Sequence, residues 1–466
     1  MNLQLALLLG YSAGLIALGL WVGRRVAGPA DFFVAGRKLG PVLLFSTMLA
    51  ANIGAGSTVG AAGLGYRDGL SSWWWVGSAG LGTLVLAFWV GPRIWRVASR
   101  NGLYTVGDYL ELRYGRSVRA VIAVLLWLGT LAILAGQFIA MAWIISTVSG
   151  APRWVGLVTG AVVMTVYFTA GGLLTSAWVN VVQLAVLLTG FAVAVPWALV
   201  AVGGWSVVTA AAPESVDGYL SVARGGQSGW IYLALLGPAF VVSPGLLQKV
   251  YGAVDERAIR IAVGATGAAL LLFALAPTLL GMIARVYDPA LANHEMALPT
   301  VLMVGLPPFL GTLALAAVFS AEISSADALL FMLSTSLAKD LYARFVNPDA
   351  NDARILAVAR GAAVAGGGLS LLLAFVLPTV IASLTIFYSL LGVSLFVPVV
   401  AGLYSRRPGT PEALAAIGAG VSALLVARVA SLGGSSWTVD PTVVGLGASA
   451  VAFAVTFIMR QRVRGT

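Results

Sequence analysis

Apolar and polar positions along the chain fall into long blocks and do not alternate residue by residue. Apolar runs of about 17–25 residues recur, parted by short clusters of Gly, Pro and charge. A helix of that length crosses a hydrocarbon layer about 30 Å thick. The shorter two-residue alternation of membrane barrel strands is absent. The pattern predicts about 13 spans, at 3–23, 41–65, 73–92, 120–146, 155–171, 176–201, 229–248, 261–286, 306–338, 357–377, 379–404, 411–432 and 442–459. Only the connections 93–119, 202–228 and 339–356 are long.

One run departs from the pattern. "AVFSAEISSADALL", residues 317–330, puts Glu322, Asp327 and three serines into a stretch that reads as a span. An ionised side chain at a helix centre costs roughly 2.5–3.5 kcal/mol on insertion scales, so these residues need a purpose. At about 100° per residue, Ala321, Ser324 and Ser325 share one narrow stripe. Glu322 lies about 100° to one side of it and Asp327 about 120° to the other. Two hydroxyls facing loose carbonyls would suit a small hard cation, which prefers oxygen ligands. The competing reading is that the serines bond back to their own preceding turn.

Loose carbonyls are expected where helices break. "AANIGAGSTVGAAGLG" (50–65) packs Gly54, Gly56 and Gly60 around Ser57 and Thr58, and "LLGPAFVVSPG" (235–245) holds Pro238 and Pro244. Counted from the second span, these are members one and six of a five-plus-five arrangement. Interrupted helices at matching places in two halves point to the binding site of an inverted-repeat transporter; glycines that only permit close helix packing are the alternative. "SSWWWVG" (71–77) reads as an interfacial aromatic belt.

Composition and charge fix the class and the topology. Hydrophobic residues make up 60% of the 466 and charged residues 9%, against about 25% charge in soluble domains. This is an integral membrane protein. The formal net charge of +10 resembles a nucleic-acid footprint only until it is mapped. With the N-terminus outside, 22 of the 27 Lys and Arg fall on the inner side, and Arg67, Arg153, Arg224, Arg285 and Arg428 outside. That asymmetry is the positive-inside rule, so no nucleic-acid partner is implied. Without cysteine there is neither a disulfide nor a thiolate metal site. The first run precedes Arg24-Arg25 and lacks a small-residue cleavage site, which predicts a retained helix. The tail "RQRVRGT" is expected to be too short for a further domain. His294, in "ANHEMALP", is expected to be a solvated outer-loop side chain.

Several segments together resemble the sodium:solute symporter family, which shares the fold of LeuT-type transporters. They are "ADFFVAGRKLG" (30–40), "GLYTVGDYLELRYG" (102–115), "TAGGLLTSAWVNVVQ" (169–183) and "SAEISSADALLFMLSTSLAKDLY" (320–342), in the family's order. The resemblance implies a sodium site from the backbone oxygens of Ala50, Ile53 and Ala321 and the hydroxyls of Ser324 and Ser325. Asn180 stands where the family has an acid beside the ion's exit path. Glu322 stands where it usually has an apolar residue, while Asp327 is common in it. These three are candidates for the ion path or for coupling. Gly54, Ala55, Gly56, Ser57 and Thr58 are the expected substrate-facing backbone, with Gln137 as a further polar contact or a bond to a neighbouring helix. The family's sugar carriers place amide side chains after the break, which "GAGSTVG" does not.

The expectation is therefore an all-α membrane protein with a LeuT-like five-plus-five inverted-repeat core. Residues 1–40 form an extra helix and inner loop, 41–201 the first repeat, 202–404 the second, and 405–466 two C-terminal helices and a cytoplasmic tail. The expected function is sodium-coupled import of a small organic solute (amino acid, carboxylate, vitamin or urea-like) through the plasma (inner) membrane by alternating access. It is not an enzyme, uses no cofactor or metal but sodium, and needs no protein partner. The rivals are a proton-coupled or uncoupled carrier on this scaffold, and a transporter-like membrane sensor.

Overall fold

A computed structural model describes residues 37–464, apart from 170–172, 406 and 433–438, and also residues 10, 13, 14 and 17. The predicted span 3–23, most of the "ADFFVAGRKLG" segment and the Gly-Gly of "TAGGLLTSAWVNVVQ" lie outside the described residues.

The chain from residue 41 is almost entirely helical. In order the helices are α1 (Pro41–Asn52), α2 (Ala61–Asp68), α3 (Trp73–Val85), α4 (Gly91–Asn101), α5 (Val106–Tyr114), α6 (Arg116–Ser149), α7 (Arg153–Thr169), α8 (Leu173–Ala201) and α9 (Trp205–Ala210). Then come α10 (Tyr232–Val242), α11 (Pro244–Tyr251), α12 (Glu256–Phe273), α13 (Leu275–Tyr287), α14 (Ala297–Val304), α15 (Pro308–Thr335), α16 (Asp352–Val376), α17 (Val380–Tyr404), α18 (Thr410–Leu432) and α19 (Pro441–Arg464). Among the described residues, ten helical stretches are long and apolar enough to cross a membrane, and Pro41–Asn52 and Arg153–Thr165 are shorter apolar helices. The predicted spans from 41 onward all coincide with helices. Between the spans 41–65 and 73–92, Gly69 (φ +78°, ψ −145°) ends α2 and a 3-10 segment, Gly69–Ser72, turns the chain into α3.

The three long connections are not plain loops. Residues 93–119 hold most of α4 and all of α5, whose start is fixed by a capping box between Thr105 and Asp108. Residues 202–228 hold α9 and open a two-residue antiparallel ladder between β1 (Arg224–Gly225) and β2 (Ser228–Gly229). Beyond α15 the helix widens into a π segment, Ser336–Val346.

A charge cluster ties α5 to α6 and to that π segment. Arg119 meets Asp108 at 2.7 Å, Glu111 at 2.8 Å and Asp340 at 2.7 Å, and Arg344 closes on Glu111 from the other side. Although partial burial opposes it, Arg344 and Arg119 hold the Glu111 carboxyl below its ordinary range. Nearby, Leu39 pairs with Gly252 and Val254, and Arg37 donates to the carbonyls of Tyr251 and Leu103. The entry to α1 is thereby fastened to the end of α11.

Helices α2 and α13 meet backbone to backbone. A Cβ on Gly65 would lie 2.4 Å from the Thr278 carbonyl oxygen, and one on Gly281 only 2.0 Å from that of Ala62. Small residues allow this approach. The expected aromatic belt divides here. Trp73 and Trp74 donate to the carbonyls of Leu271 and Val222, but Trp75 is only 3% exposed and turns inward.

Candidate functional site

Helix α1 stops at mid-chain of its span. Ile53 is extended (φ −104°, ψ 97°), and helical geometry resumes as a π turn over Gly56–Gly60. The residues there compete with their own helix. Ser57 Oγ donates across the break to the Asn52 carbonyl (2.7 Å), and Thr58 Oγ1 bonds back to the Gly54 carbonyl (3.0 Å), which also accepts the Ser57 and Thr58 N–H groups.

Two neighbouring helices prop the break open. Gln137 Oε1 on α6 accepts the Ala55 N–H at 3.0 Å, and Ser325 Oγ on α15 donates to the Ala50 carbonyl at 3.3 Å. The approach of α15 is so close that only glycine fits at 54. A Cβ there would lie 2.2 Å from Ser325 Oγ and 2.9 Å from Gln137 Oε1. Residue Asn180 on α8 bridges the same pair of helices. It accepts from Ser324 Oγ (2.8 Å) and donates to Thr47 Oγ1 on α1 (3.3 Å). The two serines therefore bond across to α8 and α1 and not back to their own turn. Ile53 and Ala321 are buried, at the break and one turn from Ser324 and Ser325 respectively.

A cavity of about 40 Å³ for the centres of water-sized molecules opens beside the break. Its polar wall includes Asn52, Gly54, Gly56, Ser57, Gln137 and Ser325; Trp75, Leu236, Phe240, Leu384 and Tyr388 are among its apolar residues. Of the residues expected to face a substrate, Gly54, Gly56, Ser57 and Gln137 line this cavity. Ala55 and Thr58 do not. Thr58 is fully buried and turns to α15, where its hydroxyl meets Glu322 Oε1 at 2.7 Å. Asp327, also buried, feels the charge of Lys249 on α11.

The aromatic wall escaped sequence reading. Phe240 and Tyr388 rings lie 5.2 Å apart, and Trp75 and Tyr388 meet edge to face at 6.3 Å. The signal for Trp75 was its position four residues beyond the Ser71–Ser72 turn, where a helical periodicity turns it from the interface to the core.

The second break falls at Ser243, in an extended conformation between α10 and α11. Pro244 explains it, because the residue before a proline is driven out of the α region. Pro238 stays within α10.

In the connection between α13 and α14, Glu295 is buried and its Oε1 accepts the Ile381 N–H at the start of α17 (3.3 Å). Burial raises its pKa to about 7, with the Val380 and Ile381 amides acting the other way. His294 is half-buried against α2, not freely solvated, and burial lowers its pKa. Among the described residues no His, Cys, Asp and Glu cluster could hold a metal.

The same architecture is found in a sodium-coupled sialic acid symporter solved substrate-bound and outward-open: TM-score 0.80 at 18% identity over 98% of both chains. An all-helical multi-span bundle of that kind, with two interrupted helices and a small cavity beside the first break, has a LeuT-like fold. The family model described as "Sodium:solute symporter family" matches residues 32–420, and the chain belongs to that family. Among curated relatives, the sodium/pantothenate symporter of Escherichia coli (strain K12) is 28% identical, over 91% of this chain and 89% of its own. The sodium/glucose cotransporter of Vibrio parahaemolyticus is 26% identical over 76% and 71%. The protein is thus a multi-pass membrane protein, a sodium-coupled solute symporter and not an enzyme.

Proposed function

We propose that the chain imports a small organic solute through the plasma (inner) membrane, with sodium bound between α1 and α15. The ligands are the carbonyl oxygens of Ala50, Ile53 and Ala321 and the hydroxyls of Ser324 and Ser325. One observation carries this reading: Ser325 Oγ and the Ala50 oxygen, on different helices, stand 3.3 Å apart at the break. A hard cation of calcium's size, bound at about 2.4 Å by two oxygens at a right angle, sets them about 3.4 Å apart. Asn180, holding Ser324, and Asp327, towards the cytoplasm, flank the ion's inward path.

The solute sits against Gly54, Gly56, Ser57 and Gln137 with its polar end and against Trp75, Phe240 and Tyr388 with its apolar body. No charged side chain is among the residues lining the cavity, so an anionic solute would rely on sodium and on backbone amides for its balance. Amino acids, short carboxylates, vitamins such as pantothenate and urea-like solutes fit that description. One sodium ion moving down ~100 mV and a tenfold gradient releases about 2.3 + 1.4 kcal/mol, enough for roughly 500-fold accumulation.

In this reading residues 41–201 and 202–404 are the two repeats that rock against each other, with 1–40 and 405–466 peripheral. The purified chain should be thermally stabilised by sodium chloride and not by potassium chloride, and further by its solute in a metabolite screen run in sodium. Equal response to both salts would sink the sodium reading. For orientation, 22 of 27 basic residues on one side favour a cytoplasmic C-terminus. A fluorescent reporter fused after Thr466 should mature in the cytoplasm, and fluorescence confined to the periplasm would reverse the topology.

A further inference from the structure

A second cavity, of about 760 Å³ for the centres of water-sized molecules, lies where two spans end, away from the helix break. Helices α4 and α5 and the last turn of α17 wall it. Four arginines converge there, Arg93, Arg96 and Arg100 from α4 and Arg113 from α5. Steps of three and four residues put the α4 trio on one helix face, where like charges repel. The positive-inside rule asks only that basic residues lie on one side of the membrane. It does not gather them round a cavity.

No acidic side chain is among the described residues that line it. Asp108 and Glu111, the acids of α5, turn to Arg119 of α6. Glu256 meets Arg96 at 2.8 Å and shares itself with Arg260. Arg113 donates to the carbonyls of Gly402 and Ser405, which fixes it at the end of α17 and leaves the rest of its N–H groups free of those bonds. Arg93 stacks on the Tyr404 ring, 3.9 Å from its centre, so its N–H edge stays open. Arg100 is exposed, with neither an ion pair nor a hydrogen bond to a described residue. The cavity therefore holds uncompensated positive charge in guanidinium forks, which suit phosphate oxygens.

Its rim is apolar. Phe88 and Trp89, about one turn before Arg93 and within the same span, are exposed, and so are Leu112 and Tyr404. The Tyr404 hydroxyl donates to the Trp89 carbonyl at 3.4 Å, which sets a Trp and a Tyr side by side as at a membrane interface. We propose that this groove binds an anionic phospholipid, its phosphate among the arginines and its acyl chains along Phe88 and Trp89. A soluble phosphate compound would satisfy the arginines and leave the exposed rings uncovered. In the orientation proposed above the groove meets the cytoplasmic leaflet, where anionic lipids are drawn to basic pockets between spans.

The test titrates the purified, delipidated full chain in detergent with phosphatidylglycerol, phosphatidylcholine or inorganic pyrophosphate, counting bound molecules by native mass spectrometry. The parent should hold one phosphatidylglycerol about tenfold or more tighter than phosphatidylcholine, and equimolar pyrophosphate should not displace it. Arg100→Gln should weaken phosphatidylglycerol about fivefold, and Arg93→Gln with Arg100→Gln about 25-fold, leaving phosphatidylcholine unchanged. Arg100 is bonded to no described residue, so its single variant serves if the double one does not fold. Arg360→Gln, at an exposed position on α16, should stay within about twofold of the parent. Equal retention of the two lipids overturns the site, as does a loss in Arg360→Gln matching that in Arg100→Gln. Pyrophosphate bound as tightly as the lipid, and lost in the same variants, overturns the lipid as occupant in favour of a soluble anion.

Discussion

The two helix breaks, at Ile53–Ala55 and at Ser243, are built differently. At the first, three residues leave the helix, and partners come from α6 and α15. At the second, only Ser243 departs, and the Leu247 N–H returns to the Ser243 carbonyl at 2.9 Å, so α11 resumes at once. The first break offers amides, hydroxyls and carbonyls; the helix before the second offers Leu236 and Phe240 to the cavity. In the proposed reading the first break serves ion and polar recognition and the second serves shape.

The sharpest way to break that contrast is at Gly54. Alanine there would force α15 and Gln137 off the break, because a Cβ 2.2 Å from Ser325 Oγ has no room. Overpacking of this kind costs about 1–3 kcal/mol and here also removes site geometry. We expect Gly54→Ala to lose roughly 100-fold or more in sodium affinity, read from sodium-dependent thermal stabilisation. Near-parental affinity would show that the closeness of α15 is irrelevant to the ion.

Next in size are the hydroxyls. Ser324→Ala and Ser325→Ala should each weaken half-saturation by sodium about 5- to 150-fold, the equivalent of about 1–3 kcal/mol for a lost ligand in a desolvated site. Unchanged values in both would remove them from the mechanism. Asn180→Asp tests the path beside them: it puts a charge against Ser324 and should slow sodium release several-fold. Transport kinetics equal to the parent's would take position 180 off the path.

A smaller effect is expected at Glu295, above the first break. Its pKa in the folded chain is about 7, raised from an ordinary 4.5, so between those values the folded state binds more protons than the unfolded. Stability should therefore be greatest below about pH 4.5 and fall as pH rises to 7, by roughly 1–3 kcal/mol. Glu295→Gln should flatten this decline in thermal melts, and an unaltered slope would assign it to other groups. The smallest change is the control at the second half: Gly237 has only Leu233 Cδ1 at 3.4 Å from an added Cβ. Gly237→Ala should alter sodium affinity less than about twofold; a loss rivalling that of Gly54→Ala would dissolve the contrast.

Much of this was legible in the chain, because membrane helices announce themselves by length and apolarity alone. The spans from 41 onward, the Gly-rich break and the serine stripe needed only local periodicity. What stayed hidden depends on partners far away in sequence. Thr58 was grouped with the substrate-facing backbone because its neighbours are small and polar, but its direction is set by Glu322, 264 residues on. Trp75 looked like one of three interfacial tryptophans until helix phase sent it inward. Pro238 and Pro244 were equal candidates for the second break, and only the second opens it. An interior proline in a membrane helix can be tolerated when neighbours satisfy the freed carbonyl.

The meshing of α2 with α13 bears on how force travels through the protein. Side chains ordinarily give two packed helices some slack, since a rotamer can swing before a backbone must yield. Between Gly65 and Thr278, and between Gly281 and Ala62, there is none to swing. A tilt of α2, beyond the break, must then drag α13 along as a lever drags its handle, and with it the connection that carries Glu295 to α17. Probes on α2 and α13 should keep one separation whichever ion is present, and a changing separation would mean that the mesh slips.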